Sequence, residues 1–180
     1  MQSVTNQKVM FAQLQLDSCV AAFGGATNPR DELLAKGFAD ACTYQLMAAW
    51  RSLLQEIAVN YKVQNLPSLS CLGQRMVVDC IEVCEQQGLV APELSYVLNL
   101  SKNRQSCLGR LLALFDIALT GAPIQDVLLE GAVAKKPESI INVKQLALSD
   151  SLQLQCQQLE LILEELIVLI QHCRQGMQEY

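Results

Sequence analysis

Cysteine is the residue type in this chain that most invites a chemical explanation, since eight cysteines occur in 180 residues. They are Cys19, Cys42, Cys71, Cys80, Cys84, Cys107, Cys156 and Cys173. An even number can indicate disulfides, but the first residues carry no apolar export segment that would favour them. Several of these cysteines occupy apolar positions of a helical pattern, where a free thiol packs as a small hydrophobe. We therefore predict mainly buried, structural thiols.

Cys71 is the cysteine whose position best predicts reactivity. It follows Pro67, Ser68 and Ser70 near the expected start of a helix. The partial positive charge of a helix N-terminus lowers the pKa of a thiol and favours the nucleophilic thiolate. Cys71 is therefore the candidate reactive thiol, and chance placement at the helix start is the alternative interpretation.

The spacing of the possible metal ligands does not predict a metal centre. Cys80 and Cys84 lie four residues apart and could face one point, but structural zinc takes four ligands, usually from paired motifs. The only histidine, His172, is not preceded by the Glu-x-x-His pattern of carboxylate-bridged iron sites in helical bundles. We predict no metal, no cofactor and no catalytic residue.

A small polar group interrupts the apolar pattern of the long second helix. Arg51, Glu56 and Asn60 are its members, and Glu56 and Asn60 lie one turn apart beside the buried stripe. Such residues could line a polar notch that binds a small molecule between helices. The alternative is a local hydrogen-bonded pair or a solvated helix edge.

Composition and charge exclude several classes of partner. Charged residues make up 17% of the chain and hydrophobic residues 51%, whereas soluble proteins usually have a charged share of about 25%. The net charge of −5 and the lack of a basic stripe argue against nucleic acid as a ligand. The most apolar stretch, Leu159 to Ile170, is too short for a membrane span and contains three glutamates. We expect a cytoplasmic protein.

Helical periodicity extends over almost the whole sequence and predicts an all-α fold. We expect one domain, residues 1–180, forming a bundle of about five helices. Thr5 or Asn6 is expected to cap the first helix, and Ser149-Asp150 the last. The second helix should be long, covering about 29–64, and a crossover loop should cover about 121–148.

The last predicted helix carries apolar residues on two sides. One stripe faces the expected core and comprises Leu152, Cys156, Leu159, Leu163, Leu166, Ile170 and Cys173. Leu154, Leu161 and Val168 form a second stripe at seven-residue spacing on nearly the opposite side, and His172 extends it by one turn. These four residues are the candidate interface. For the three apolar residues, the alternative is a last helix buried on both sides within the bundle. For His172, the alternative is an exposed polar residue without a contact.

Two short stretches carry a family resemblance. Asn6-Gln7-Lys8 with Phe11-Ala12 belongs to the first helix, and Glu56-Ile57-Ala58 with Tyr61 to the second. Together they resemble an uncharacterised helical family of pseudomonads and related gammaproteobacteria, a domain of unknown function. The resemblance implies a bacterial cytoplasmic protein and transfers no activity.

Two functional hypotheses follow from these patterns. The first is a non-enzymatic helical interaction protein that associates with itself or with another protein through its last helix. The alternative is a small-molecule-binding or weakly enzymatic bundle that uses the polar notch near Glu56 and Asn60.

Overall fold

The described part of the chain is all-helical, as predicted. A computed structural model describes residues 3–25, 28–64, 74–120 and 148–178, and these ranges hold six helices and no strand. The helices are α1 Val4–Gly24, α2 Pro29–Asn60, α3 Gln74–Gln86, α4 Pro92–Lys102, α5 Cys107–Thr120 and α6 Leu148–Gln178. The expected crossover loop lies outside the described residues up to Leu148, where α6 begins. In these ranges, no helix combines the length and apolarity that a membrane crossing requires.

Polar side chains at the helix starts explain where α1 and α2 begin. The Asn28 side chain accepts hydrogen bonds from the backbone N–H groups of Arg30 and Asp31, and Pro29 occupies the first turn of α2. The expectation for α1 was wrong, because Ser3 is the cap and its hydroxyl accepts from the backbone N–H of Asn6. The second helix ends at Asn60 rather than near residue 64.

The count of six helices instead of about five results from a sharp break between α4 and α5. The Ser106 hydroxyl donates to the Leu100 carbonyl at 2.5 Å and accepts from the backbone N–H of Gly109 at 3.1 Å. Gly109 lies directly against the backbone of Asn103 and Arg104, where a Cβ atom would collide. The polar cluster around Ser106 therefore ends one helix and caps the next.

Substitution of Gly109 distinguishes the effect of this close backbone contact on stability from the effect of helix propensity. We expect Gly109→Ala to lower the free energy of unfolding by about 1–3 kcal/mol, because backbone atoms must move to admit the methyl group. Gly37→Ala on α2 is the matched control. Gly37 is exposed and has open space around it, so alanine should raise the free energy of unfolding by about 0.5–1 kcal/mol. Urea unfolding of both variants measures the difference, and two shifts of the same sign would contradict the proposed role of Gly109.

The core lies between the α1–α2 hairpin and α6, with α5 closing a further side of α6. Trp50, Leu46, Leu53 and Leu54 of α2 are fully buried there. α3 and α4 pack against each other and connect to the rest through α5 and α2. Burial of so many aliphatic side chains is the main stabilising contribution in a fold of this size.

Candidate functional site

The inner face of α6 is fully used by the bundle. Its buried side chains include Leu152, Leu159, Leu163, Leu166, Ile170 and Cys173, which all belong to the first predicted stripe. The seventh member of that stripe, Cys156, is half-buried. These residues contact α1, α2 and α5, so the helix needs no further partner on this side.

The outer face of α6 presents apolar side chains to solvent. Leu161 is 43% exposed and Val168 is 63% exposed. Leu154, one further heptad toward the N-terminus, is half-buried and packs against the edge of the core. The bundle therefore does not cover Leu161 and Val168, in contrast to the alternative of a last helix buried on both sides. The second stripe is an exposed apolar surface over its C-terminal two thirds.

The sides of this surface are polar. Arg110 of α5 donates to the exposed Glu165 carboxylate at 2.6 Å and borders the stripe along one side. Glu164 and Gln157 are exposed and lie near the stripe on the helical projection. An apolar stripe bordered by polar groups is the arrangement that protein contacts use.

His172 lies at the C-terminal end of the stripe and already has an intramolecular neighbour. Its exposed ring contacts Tyr96 of α4, with 5.1 Å between the ring centroids and an interplanar angle of 62°. Tyr96 is itself 43% exposed. The two rings therefore add an aromatic edge to the outer face of α6.

The predicted polar notch contains a guanidinium group that the sequence analysis did not include. Arg174 of α6 binds Glu56 through two nitrogens, with Nε to Oε2 at 3.1 Å and Nη2 to Oε2 and Oε1 at 2.9 and 3.2 Å. Asn60 is exposed and donates to the Met177 carbonyl at 3.5 Å. Arg51 is half-buried, and the described contacts leave it outside this group.

Arg174 joins three helices. Its Nη1 donates to Asn6 Oδ1 at 2.8 Å and its Nη2 to Ser3 Oγ at 2.6 Å, both at the start of α1. Burial tends to raise the pKa of the Glu56 carboxyl, but the hydroxyls of Thr5 and Ser3 and the Arg174 guanidinium outweigh it, so this pKa is lowered. The polar group therefore links α1, α2 and α6, and the Glu56 carboxylate is bound by side chains of the protein itself.

The seven cysteines within the described residues are free thiols. Burial raises the pKa of Cys80 to about 11, and the pKa of Cys84, on the same helix, is also raised. Cys71 lies outside the described residues. Among the thiols that the structure describes, the closest pair is Cys19 of α1 and Cys156 of α6, whose sulfurs are 3.0 Å apart. Across the described ranges, no cluster of three or more histidine, cysteine or acidic residues could hold a metal ion.

Sequence reasoning missed Arg174 and the Cys19–Cys156 pair for the same reason. Arg174 and Glu56 are 118 residues apart, and the two cysteines are 137 residues apart. Periodicity shows which face of a helix is buried, but it does not show which residues of two distant helices lie at the same height.

Comparison with known proteins adds no functional assignment. No family model, no curated protein and no solved structure matches this chain. The resemblance to the pseudomonad family therefore stays a prediction.

Proposed function

We propose that this chain is a non-enzymatic, cytoplasmic interaction protein that forms a homodimer through the outer face of α6. The contact surface comprises Leu154, Leu161, Val168 and His172. The observation that carries the proposal is the exposure of Leu161 and Val168 on a helix whose opposite face is already buried. Apolar side chains at heptad spacing on such a helix are the usual elements of a helix-pair contact.

A second copy of the same chain suits the spacing of this surface. In an antiparallel pair centred on Leu161, each Leu154 lies opposite the partner's Val168. The same register sets Glu164 opposite a glutamine at position 158 and Glu165 opposite one at position 157, so carboxylates avoid one another. Most soluble homodimers have this two-fold symmetry, in which one surface meets its own copy.

The cytoplasmic assignment is supported by the chemistry of the cysteines. The seven described cysteines are free, and six of them are buried. Free thiols in such number are typical of a reducing compartment. The low charged share of 17% also agrees with a surface that is partly covered by association.

The small-molecule alternative receives no support from the polar group. Glu56 already accepts hydrogen bonds from Arg174 through both carboxylate oxygens. A ligand at this position would have to displace a guanidinium that also holds Ser3 and Asn6. We therefore give the polar group a structural role.

The solution mass of the reduced, untagged protein tests the proposal. We expect size exclusion with light scattering to give twice 19.9 kDa at micromolar concentration. A mass of 19.9 kDa over the whole concentration range would contradict self-association. Association with a different protein would then be the hypothesis to test next.

A further inference from the structure

The pair formed by Cys19 and Cys156 has a geometry that its neighbours lack. The two sulfurs approach to 3.0 Å across the contact between α1 and α6, and a thiol of one donates to the other. Cys80 and Cys84 are also near each other in sequence, but both belong to α3 and are buried in the core. The Cys19–Cys156 pair instead joins two helices that are far apart along the chain.

The two sulfurs of this pair differ in exposure and in acidity. Cys19 is fully buried, whereas Cys156 is half-buried. The hydrogen bond from the Cys19 thiol lowers the pKa of Cys156 against the opposing effects of burial and Glu160. The same hydrogen bond, together with burial, raises the pKa of Cys19. Cys156 is thus the more exposed and the more acidic thiol of the pair.

We propose that Cys19 and Cys156 form a reversible intramolecular disulfide by exchange with a low-molecular-weight disulfide. The sulfurs need to approach by only about 1 Å to reach bonding distance. Transient, redox-responsive disulfides of this kind occur in proteins whose thiols are otherwise kept reduced. The proposal is independent of the proposed dimer, because Cys156 belongs to the inner stripe of α6 and Leu161 to the outer one.

The exchange proceeds in two balanced steps. The Cys156 thiolate attacks one sulfur of the small disulfide, which breaks its S–S bond and releases one thiolate. Cys19 then loses its proton and attacks the Cys156 sulfur, which forms the Cys19–Cys156 bond and releases the second thiolate. The two protons of the cysteine pair are taken up by the two released thiolates. Two electrons pass from the protein to the small disulfide.

The bond would constrain a very long segment of the unfolded chain. Cys19 and Cys156 are 137 residues apart, so the bond removes much of the freedom of the unfolded state. We expect the Tm of the oxidised protein to exceed that of the reduced protein by roughly 10 °C.

The experiment equilibrates the full-length protein with oxidised and reduced glutathione, quenches free thiols and maps the linked peptides. We expect the wild type to lose two hydrogen atoms and to yield a linked pair containing Cys19 and Cys156. Cys19→Ala should instead retain one glutathione on Cys156. Cys84→Ala is the matched control, because it also removes a buried thiol and should still form the bond.

Two results would overturn the proposal. One is a wild type that forms no intramolecular disulfide at any glutathione ratio. The other is a linked pair that contains a different cysteine, such as Cys42 or Cys71. Peptide mapping of the wild type decides between these outcomes even if Cys19→Ala does not fold.

Discussion

Leu161→Glu is expected to raise the dissociation constant of the homodimer by about 100-fold or more. In the proposed two-fold arrangement, Leu161 meets its own copy, so the substitution brings two carboxylates together within an apolar contact. Leu161 is 43% exposed in the chain itself, so helicity should not change. Light scattering over a dilution series measures the dissociation constant, and circular dichroism measures the helicity.

Leu33→Glu is the matched control for this substitution. Leu33 is 63% exposed on α2 and lies outside the stripe of Leu154, Leu161 and Val168. The substitution Leu33→Glu introduces the same charge at an exposed leucine of a helix and should leave the dimer intact. Equal effects of the two substitutions, or a dimer that survives Leu161→Glu, would show that α6 is not the contact surface.

Arg174→Ala is expected to lower the free energy of unfolding by about 2–3 kcal/mol, or the Tm by roughly 5–10 °C. The substitution removes the hydrogen bonds from α6 to α1 and α2 and leaves the half-buried Glu56 carboxylate without its cation. Thermal unfolding at about pH 7 measures the effect.

Arg75→Ala provides the comparison for Arg174→Ala. Arg75 is 63% exposed and pairs with Asp79 within α3 at 2.7 Å. An exposed pair of this kind contributes at most about 0.5 kcal/mol. Arg174→Lys should recover only part of the loss, because an ammonium group cannot bind the carboxylate through two nitrogens. A loss for Arg174→Ala no larger than for Arg75→Ala would contradict the joining role of Arg174.

The difference between wild type and Arg174→Ala should depend on pH. The folded-state pKa of Glu56 is lowered, so its contribution to stability is present above the ordinary value of 4.5. This contribution is lost as the pH falls from that value through the lowered pKa, because a protonated Glu56 no longer pairs with Arg174. We expect the difference in Tm between the two proteins to be smaller at about pH 3 than at about pH 7. If the difference in Tm were the same at both pH values, the stabilising effect of Arg174 would come from its hydrogen bonds to Ser3 and Asn6 alone.

The helical class and the two faces of α6 could be predicted from the sequence because each depends on local order. A repeat of three and four residues is enough to show that Leu159 and Leu166 face the same side, opposite Leu161. The sequence left open whether Leu161 and Val168 are covered, since that depends on how many helices surround α6. The packing of the whole bundle determines the exposure of these two side chains.

The sequence predicts only those members of the polar group that lie within one helix, because only local order can be read from it. Glu56 and Asn60 stand out because they interrupt an apolar pattern within one helix. Their partner Arg174 is one basic residue among thirteen, and it reaches Glu56 only because α2 and α6 are aligned at their C-terminal ends. Alignment of distant helices comes from packing, which periodicity does not encode. The polar residues from Ser101 to Ser106 indicate a break between α4 and α5, but the sequence does not show that the Ser106 hydroxyl makes it through a carbonyl six residues away.

The placement of α6 against α1 has a consequence for the order of folding during synthesis. Ser3 and Asn6 bind Arg174, and Cys19 faces Cys156, so both ends of α1 depend on residues translated much later. The α1–α2 hairpin can form early, but its core-facing side stays uncovered until α6 leaves the ribosome. Residues such as Leu16 and Leu46 would be open to chaperones over that interval. Nascent chains that stop before α6 should therefore be prone to aggregation.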